Sequence, residues 1–546
     1  MNDNAIVEEI LQRQIELESD RLPYEPAWRE IDERVNPLGE GGFTQAAKGG
    51  VRGTTIFDHT ASTGLNRFQA AYGGMIIPRG ERYQLVQSTS TSLNDFPAFQ
   101  QWAEKATDLL FGARYRPIAG FETEAGMCIR SIGTYGNAPL WTDHRPGLGM
   151  FYKTLHLAEV FVDEDFTGRI DTVHRKFTRT ARQARQMFGP DNLTPSIQKA
   201  ITENKLSQEF SFLHVIRPRA ERDPGRFDFR RMAWESRYIC VEDKAQLREG
   251  GYETMPIAFA RYVTGPRERY GRSPAMQVLG SIRTVNEMVK TLLRAGHKAV
   301  DPPLLTPEDG VLSRIQTKPG GINVGGLGFD GSPMVVPLQT GGNLPLGMEL
   351  LNNEREPIRD AFLETVFSLV LERRDRMTAT EVLEHTRMVG MLMSPSASRG
   401  ETEWLSPQTA RELEILLDSG TIPPPPPEMR EEGAQVKLVY DNPLTRAAKA
   451  EEALGFGRFI EMLTPAASIA GPEVYDVVNW QRAPRELAKS LAVRQAYLST
   501  PDEVIAKGEA RSQQQQVDNT LKQLALGAGA VKDLSAARGE ETALGI

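Results

Sequence analysis

Residues 270–303 read YGRSPAMQVLGSIRTVNEMVKTLLRAGHKAVDPP, and the reading of this stretch decides the fold. Ser273 offers a hydroxyl to cap a first helical turn, and Pro274 suits the opening position because its missing N–H had no partner there. Asp301-Pro302-Pro303 cannot continue the backbone ladder. Between these marks the spacing predicts one long helix, a rod of about 40 Å at about 1.5 Å per residue. Helical spacing puts Val278, Ile282, Val285, Met288, Val289, Leu292 and Leu293 on one side, the stripe by which a helix packs. Opposite lie Arg283, Lys290, Arg294, His297 and Lys298, with Glu287 among them. Two readings of that face stand: the solvated side of a surface helix, or the basic edge of a rod that packs against copies of itself and looks at something anionic.

A chain of 546 residues exceeds the ~250–300 at which single cores stop growing, so several domains are expected. Hydrophobic content of 40% and charged content of 25% describe a globular protein. No apolar run approaches the ~18 residues of a membrane span, and the acidic Met1–Glu9 lacks a signal peptide's basic-then-apolar order. A cytosol-like compartment is therefore expected. Cys128 and Cys240 stand far apart among apolar and aromatic neighbours, which reads as two buried thiols rather than a disulfide or a metal site. The net charge of −8 argues against gripping nucleic acid over the whole surface. It leaves room for a passage in which DNA slides, because a densely basic lining holds a duplex in place.

In chain order, residues 4–18 form an amphipathic helix with Ile6, Ile10, Leu11, Ile15 and Leu17 as its apolar set, and a second helix near Pro26 turns Trp28, Ile31 and Val35 inward. Gly39–Gly53 reads as a flexible loop. Asp58 is placed to cap a helix carrying Leu65, Phe68 and Tyr72, and another helix runs from Pro97 to Gly112. From about residue 119 a short helix runs to Ile132, followed by Gly133-Thr-Tyr-Gly136. Then Val160–Asp163, Ile170–Phe177, Phe210–Ile216, Met232–Ile239 and Ile257–Val263 read as strands of a mostly antiparallel sheet, with a helix over Thr178–Phe188. The fold class is thus α+β. Residues 302–345, with nine Gly and seven Pro, read as a small β-rich lobe or a long excursion. It is flanked by the long rod and by a second helical pattern from Leu346 through Leu350, Leu351, Ile358, Phe362 and Val366, in which Pro357 should kink the rod or start it afresh. Thr378 with Glu381 forms a capping box, a further helix starts at Ser406-Pro407, and Pro423–Pro427 is a stiff linker. Val436–Tyr440 is a strand, and the Ala-rich remainder is helical, trailing through Gln513–Gln516 into a frayed end.

Catalytic motifs find no support. Gly326-Leu-Gly-Phe-Asp-Gly331 has the dinucleotide spacing, but Ser332-Pro333 and a β-like run follow where a helix is needed, so it reads as a glycine-rich turn. No Gly-Lys-Ser/Thr phosphate loop occurs. Asp163-Glu-Asp-Phe-Thr-Gly168 opens like a calcium loop, yet His174 stands where a bidentate Glu is wanted, so a tight turn between strands is expected. The seven His are scattered. Arg373, Arg374 and Arg376 lie in a charged segment that is an exposed turn or a phosphate contact, and composition does not choose between these.

An ordered set of motifs then carries a resemblance: Arg52-Gly-Thr-Thr-Ile-Phe-Asp58, Ile132-Gly-Thr-Tyr-Gly136, Asp163–Gly168, Tyr270-Gly-Arg-Ser-Pro274, Pro302-Pro303 and Met377-Thr-Ala-Thr-Glu-Val382. Over roughly residues 50–390 the chain resembles the portal (head-to-tail connector) proteins of short-tailed bacteriophages. The resemblance implies a ring, usually of twelve subunits, at one capsid vertex, through which double-stranded DNA is packaged and later ejected. It implies residues 1–269 and 377–444 as wing, 270–300 and 346–370 as stem helices, 301–345 as clip, 371–376 as channel loop and 445–546 as crown. Val278, Ile282, Val285, Val289 and Leu292 then pack the stem, while Lys290, Arg294, Lys298, Arg373, Arg374 and Arg376 are candidates to face DNA. The implied partners are other copies of the chain, the terminase large subunit, tail adaptors, the major capsid protein and a scaffolding protein. The implied location is the virion, after synthesis in the bacterial cytoplasm, with no enzyme activity, cofactor or metal. A non-channel oligomeric scaffold and a metal-dependent nucleic-acid-processing enzyme are the alternatives, the latter resting only on Asp163 and Asp165.

Overall fold

A computed structural model describes residues 3–37, 42–43, 53–94, 96–305, 322, 326–328, 330–337, 344–364, 395–427, 429, 436–441, 455–465, 471–480, 482–490, 497, 499 and 503–517. Among the described residues the helices include α1 (Asp3–Arg21), α2 (Glu25–Arg34), α3 (Thr60–Ile76), α4 (Thr91–Asn94), α5 (Pro97–Arg114), α6 (Phe121–Tyr135), α7 (Ala181–Phe188), α8 (Pro195–Thr202), α9 (Pro274–Gln277), α10 (Leu279–Val300), α11 (Leu344–Ala361), α12 (Ser406–Asp418) and α13 (Ala483–Ser490). The strands are β1 (Gln84–Ser88), β2 (Asn137–Arg145), β3 (Gly149–Thr154), β4 (Val160–Glu164), β5 (Ile170–Thr180), β6 (Glu209–Pro218), β7 (Trp234–Cys240), β8 (Ala245–Tyr252), β9 (Ile257–Arg261), β10 (Leu304–Leu305), β11 (Val336–Pro337) and β12 (Val436–Tyr440). Contacts divide the chain into two compact units, the first comprising Met1–Tyr83, Leu109–Ile422 and Tyr440–Leu444, the second Gln84–Asp108, Pro423–Val439 and Thr445–Ile546.

In the first unit the expected single sheet is two. Strands β4-β5-β6-β7-β8 form an antiparallel meander, and β3-β2-β9 a separate sheet in which Leu140 faces Ala258. The sequence hid β2 because Pro139 breaks its β pattern; β2 tolerates this residue because the ladder with β3 begins only at Leu140. Strand β8, with Gly250 and Gly251, has poor intrinsic β preference and is held by its pairing with β7. The helix expected over Thr178–Phe188 starts three residues later. β5 runs on through Thr180, whose hydroxyl and the Gln183 side chain then cap α7 reciprocally.

Helix α1 also differs in phase from its sequence reading. Val7, Ile10, Gln14, Leu17 and Arg21 are buried, whereas Ile15 is 61% exposed. The sheet decides the phase: Val7 and Ile10 pack on Leu213, Val215 and Ile239, and the Arg21 guanidinium lies over the Phe161 ring while donating to the carbonyls of Leu157, Ala158 and Val160. Trp28, Ile31 and Val35 are fully buried, as expected. Cys128 and Cys240 are free, buried thiols.

The long rod is broken once. Ser273 caps α9, its hydroxyl accepting from the Met276 N–H at 2.9 Å, but Val278 leaves helical geometry (φ −113°, ψ 18°) before α10 begins. The continuous rod is thus a turn followed by a helix of 22 residues, about 33 Å long. Conversely, α11 keeps helical backbone through Pro357, so no fresh start occurs there. The proline removes one donor for the carbonyl four residues earlier, and the burial of Ile358 and Phe362 just beyond it compensates.

Strands β10 and β11 pair antiparallel, and Gly326–Gly331 lies in a turn closed by Gly328 N–H to Ser332 O at 2.8 Å and Met334 N–H to Gly326 O at 2.9 Å. Ser332–Pro337, directly after it, are not helical, in keeping with the turn reading. In the second unit β1 pairs with β12, and the indole of Trp102 donates to Pro423 O at 2.8 Å, so the proline run is docked where it begins. Gln513–Gln516 lie within a helix over 503–517, and the Gly/Ala-rich end expected to fray lies outside the described residues. Most of the Gly39–Gly53 loop, the 371–376 segment, the Thr378–Glu381 box and residues 518–546 lie outside the described residues.

Candidate functional site

Helices α10 and α11 pack side by side, and their direction follows from two contacts. Leu292, late in α10, covers Gly347, early in α11, where an added Cβ comes to 2.8 Å from the Leu292 methyl. Ile282 and Val285, early in α10, share a small cavity with Ile358, late in α11. The pair is therefore antiparallel. Its apolar positions divide along the length: Leu279, Ile282 and Val285 are buried and Val278, Val289 and Leu292 half-buried, while Leu293 is half exposed and Val300 is 88% exposed. Leu293, expected in the packed stripe, falls outside it.

A segment that the sequence marked only as a motif holds both helices to the body. Asn286, a polar residue inside the buried stripe, accepts from Phe57 N–H at 2.7 Å and donates to Thr55 O at 3.1 Å. One residue on, the Asp58 carboxylate accepts from Thr60 N–H at 2.8 Å, capping α3, and from Arg355 Nε of α11 at 3.0 Å. Burial alone raises the Asp58 carboxyl, but Thr60 and Arg355 outweigh it and hold the group below the usual carboxylate range. Residues 53–58 thus splint α10 to α11. Replacing Asp58 by Asn is expected to cost about 1–3 kcal/mol, read as a lower urea midpoint. Because Asp58 is depressed in the folded state, its contribution is present above the unfolded value of about 3.9 and is lost as pH falls through the folded value, so variant and wild type converge in acid.

The root of the helix pair is fixed by two other motifs meeting backbone to backbone. Gly136, at φ +76°, ends α6; Asn137 donates to Gly271 O at 3.0 Å and accepts from Gly271 N–H at 2.7 Å. Tyr270 is buried against Tyr24, Trp28 and Phe259. The Asp163–Gly168 motif is a turn, as expected: Asp165 Oδ1 accepts from Thr167 N–H, Thr167 Oγ1 and Arg169 N–H at 2.7, 2.6 and 3.0 Å. Asp163 is paired with Arg13 and Arg269. Among the described residues no group of three metal-ligating side chains converges.

The basic candidates separate. Arg283 is bound to Glu30 of α2 (Nε to Oε1, 2.7 Å), and this hydrogen bond above all holds the Glu30 carboxyl low. The Lys290 ammonium sits 3.0 Å from Glu287 and 5.8 Å from the Phe57 ring centroid. Arg294 and Lys298 are exposed and have no ion pair among the described residues. Arg373, Arg374 and Arg376 lie outside the described residues. Asn286, Asp58 and Arg355 escaped the sequence reading as functional positions. The signals were an amide interrupting an apolar stripe and the place of Asp58 at the end of the Arg52–Asp58 motif.

The sequence profile of the bacteriophage head to tail connecting proteins matches residues 7–498. The chain belongs to this family. A probable portal protein of Bordetella phage BPP-1 is 26% identical over 518 residues, covering 93% of this chain and 91% of its own. The portal protein of Salmonella phage epsilon15 is 21% identical over 539 residues, covering 97% and 95%. Among solved structures, a chain in the virion of a native gene transfer agent particle aligns at a TM-score of 0.36 with 14% identity, over 74% of this chain and 87% of that one. By its family profile the chain is a phage head-to-tail connecting protein.

Proposed function

We propose that copies of this chain close into a ring of about twelve at one capsid vertex, and that double-stranded DNA enters and leaves through its bore. In this reading α10 and α11 are the stem, residues 301–345 the clip, 371–376 the channel loop and 445–546 the crown. The ring is a docking platform for the terminase and the tail, contacts the capsid and scaffolding proteins, and has no enzymatic role of its own. One observation carries the ring: the far half of the helix pair leaves Leu293, Val300, Leu346, Met348 and Leu350 between 48% and 88% exposed on a single chain, beside Arg294 and Lys298, which have no ion pair among the described residues. Apolar surface on both helices supports packing against copies, and a heterologous contact of that kind closes into a ring. On α10, Arg294 and Lys298 are exposed without an ion pair among the described residues while Arg283 and Lys290 are paired, and this supports a sparse lining that attracts DNA without arresting it.

Electron microscopy of the purified chain, averaged down the symmetry axis, is expected to show rings of about twelve with an opening wide enough for a duplex of about 20 Å. Filled particles or open filaments overturn the proposal. Deleting 371–376 is expected to leave the rings intact and abolish DNA packaging.

A further inference from the structure

Helix α11 ends in a backbone conformation that its own sequence does not favour. Ile358, Phe362 and Val366 keep helical spacing, so local chemistry asks for one uninterrupted helix. Yet Leu363 stands at φ +60°, the left-handed region in which a Cβ crowds the backbone, and Glu364 is helical again. The chain thus bends at one strained residue, with Phe362 N–H on Ile358 O at 3.2 Å and Leu363 N–H on Asp360 O at 2.9 Å closing the turn before it. Helix α3 holds the bend. Gly64, Arg67 and Phe68 stand at positions i, i+3 and i+4, on one face of that helix. The Phe362 ring is fully buried on this face: it meets Phe68 with centroids 6.5 Å apart and planes at 72°, and a Cβ added at Gly64 comes to 2.9 Å from it. On the other side of Leu363, the Glu364 carboxylate is paired with the Arg67 guanidinium. Contacts on both neighbours of Leu363 therefore impose a conformation that the residue itself resists.

We infer that Phe362–Glu364 is a two-state joint: latched on α3 it bends, and with Phe362 and Glu364 released Leu363 returns to right-handed geometry and α11 runs on as a straight helix. Relief of strain and a continued backbone ladder favour the straight state. Burial of the Phe362 ring and the Arg67–Glu364 pair favour the bent one. Such opposed terms, acting on a single residue between two rigid helical stretches, give two discrete arrangements rather than a soft continuum. The joint belongs to a single chain and stands whether or not copies close into a ring.

Double electron–electron resonance on the full chain reads the two states, with spin labels at Asn352→Cys before the joint and Ser368→Cys beyond it, diluted with unlabelled chain. Cys128 and Cys240 are buried and stay unlabelled. Continuous helix sets the two labelled positions about 24 Å apart, and the bend shortens this. The wild type is expected to be mainly short, with a minor population at about 24 Å. Gly64→Ala, which leaves no room for the Phe362 ring, is expected to raise that population about fivefold or more, and Leu363→Gly, which removes the strain of the bend, to lower it by a similar factor. Arg67→Gln is expected to raise it less, because the ion pair is part-exposed. A population at about 24 Å that is absent from every variant, or larger in Leu363→Gly than in the wild type, overturns the joint. A Gly64→Ala protein with the wild-type distance distribution overturns the latch on α3 and the joint with it.

Discussion

Glu412→Leu is expected to destabilise the first unit by about 3–5 kcal/mol, because it leaves a guanidinium buried without its counter-charge. Arg114 at the end of α5 and Glu412 in α12 are both fully buried. Arg114 donates through Nε to Glu412 at 3.1 Å, to the Tyr83 hydroxyl at 2.8 Å and to Thr409 Oγ1 at 2.9 Å. Glu412 also accepts from the Tyr152 hydroxyl at 2.7 Å and from Gln408 at 2.7 Å. Removing either charge strands the other, whereas Arg114→Met with Glu412→Leu removes both and is expected to regain most of the loss. Guanidinium unfolding of the two single variants and the double variant measures the coupling. A Glu412→Leu loss below about 1 kcal/mol contradicts the buried-pair account.

Gly136→Ala carries the second large effect, and it bears on the root of the helix pair. At φ +76° a side chain is strained, and the added Cβ lies 2.5 Å from the Arg272 carbonyl carbon and 2.6 Å from Gly271 O. Both are backbone atoms of the chain entering α9, pinned by Asn137, so neither yields without moving the helix start. Strain of about 1–3 kcal/mol and overpacking of similar size give an expected cost of about 2–5 kcal/mol. Gly280→Ala, in open space within α10, is the matched control and is expected to be neutral or slightly stabilising. Thermal melts of both variants decide it. A Gly136→Ala protein as stable as the wild type contradicts the backbone-to-backbone contact.

The sequence by itself determined what rests on local chemistry and on period. The hydroxyl of Ser273 beside Pro274 marked the helix start, the alternation of Phe210–Ile216 marked a strand, and Asp165 with Gly168 marked a turn. Each follows from atoms within a few residues of one another. The order of the motifs pointed to the family before any contact was known. Tertiary structure alone decided which strand joins which sheet, because β9 has the same alternation whether it pairs with β8 or β2. It decided the phase of α1, since Ile15 and Val7 are equally apolar and only the sheet beneath selects one. It also divided the basic edge of α10. Arg283 and Arg294 share a face by periodicity, but Glu30 of α2, 253 residues away in sequence, neutralises the first, while the second stays open to solvent. A charge is legible in one dimension; its partner is chosen in three.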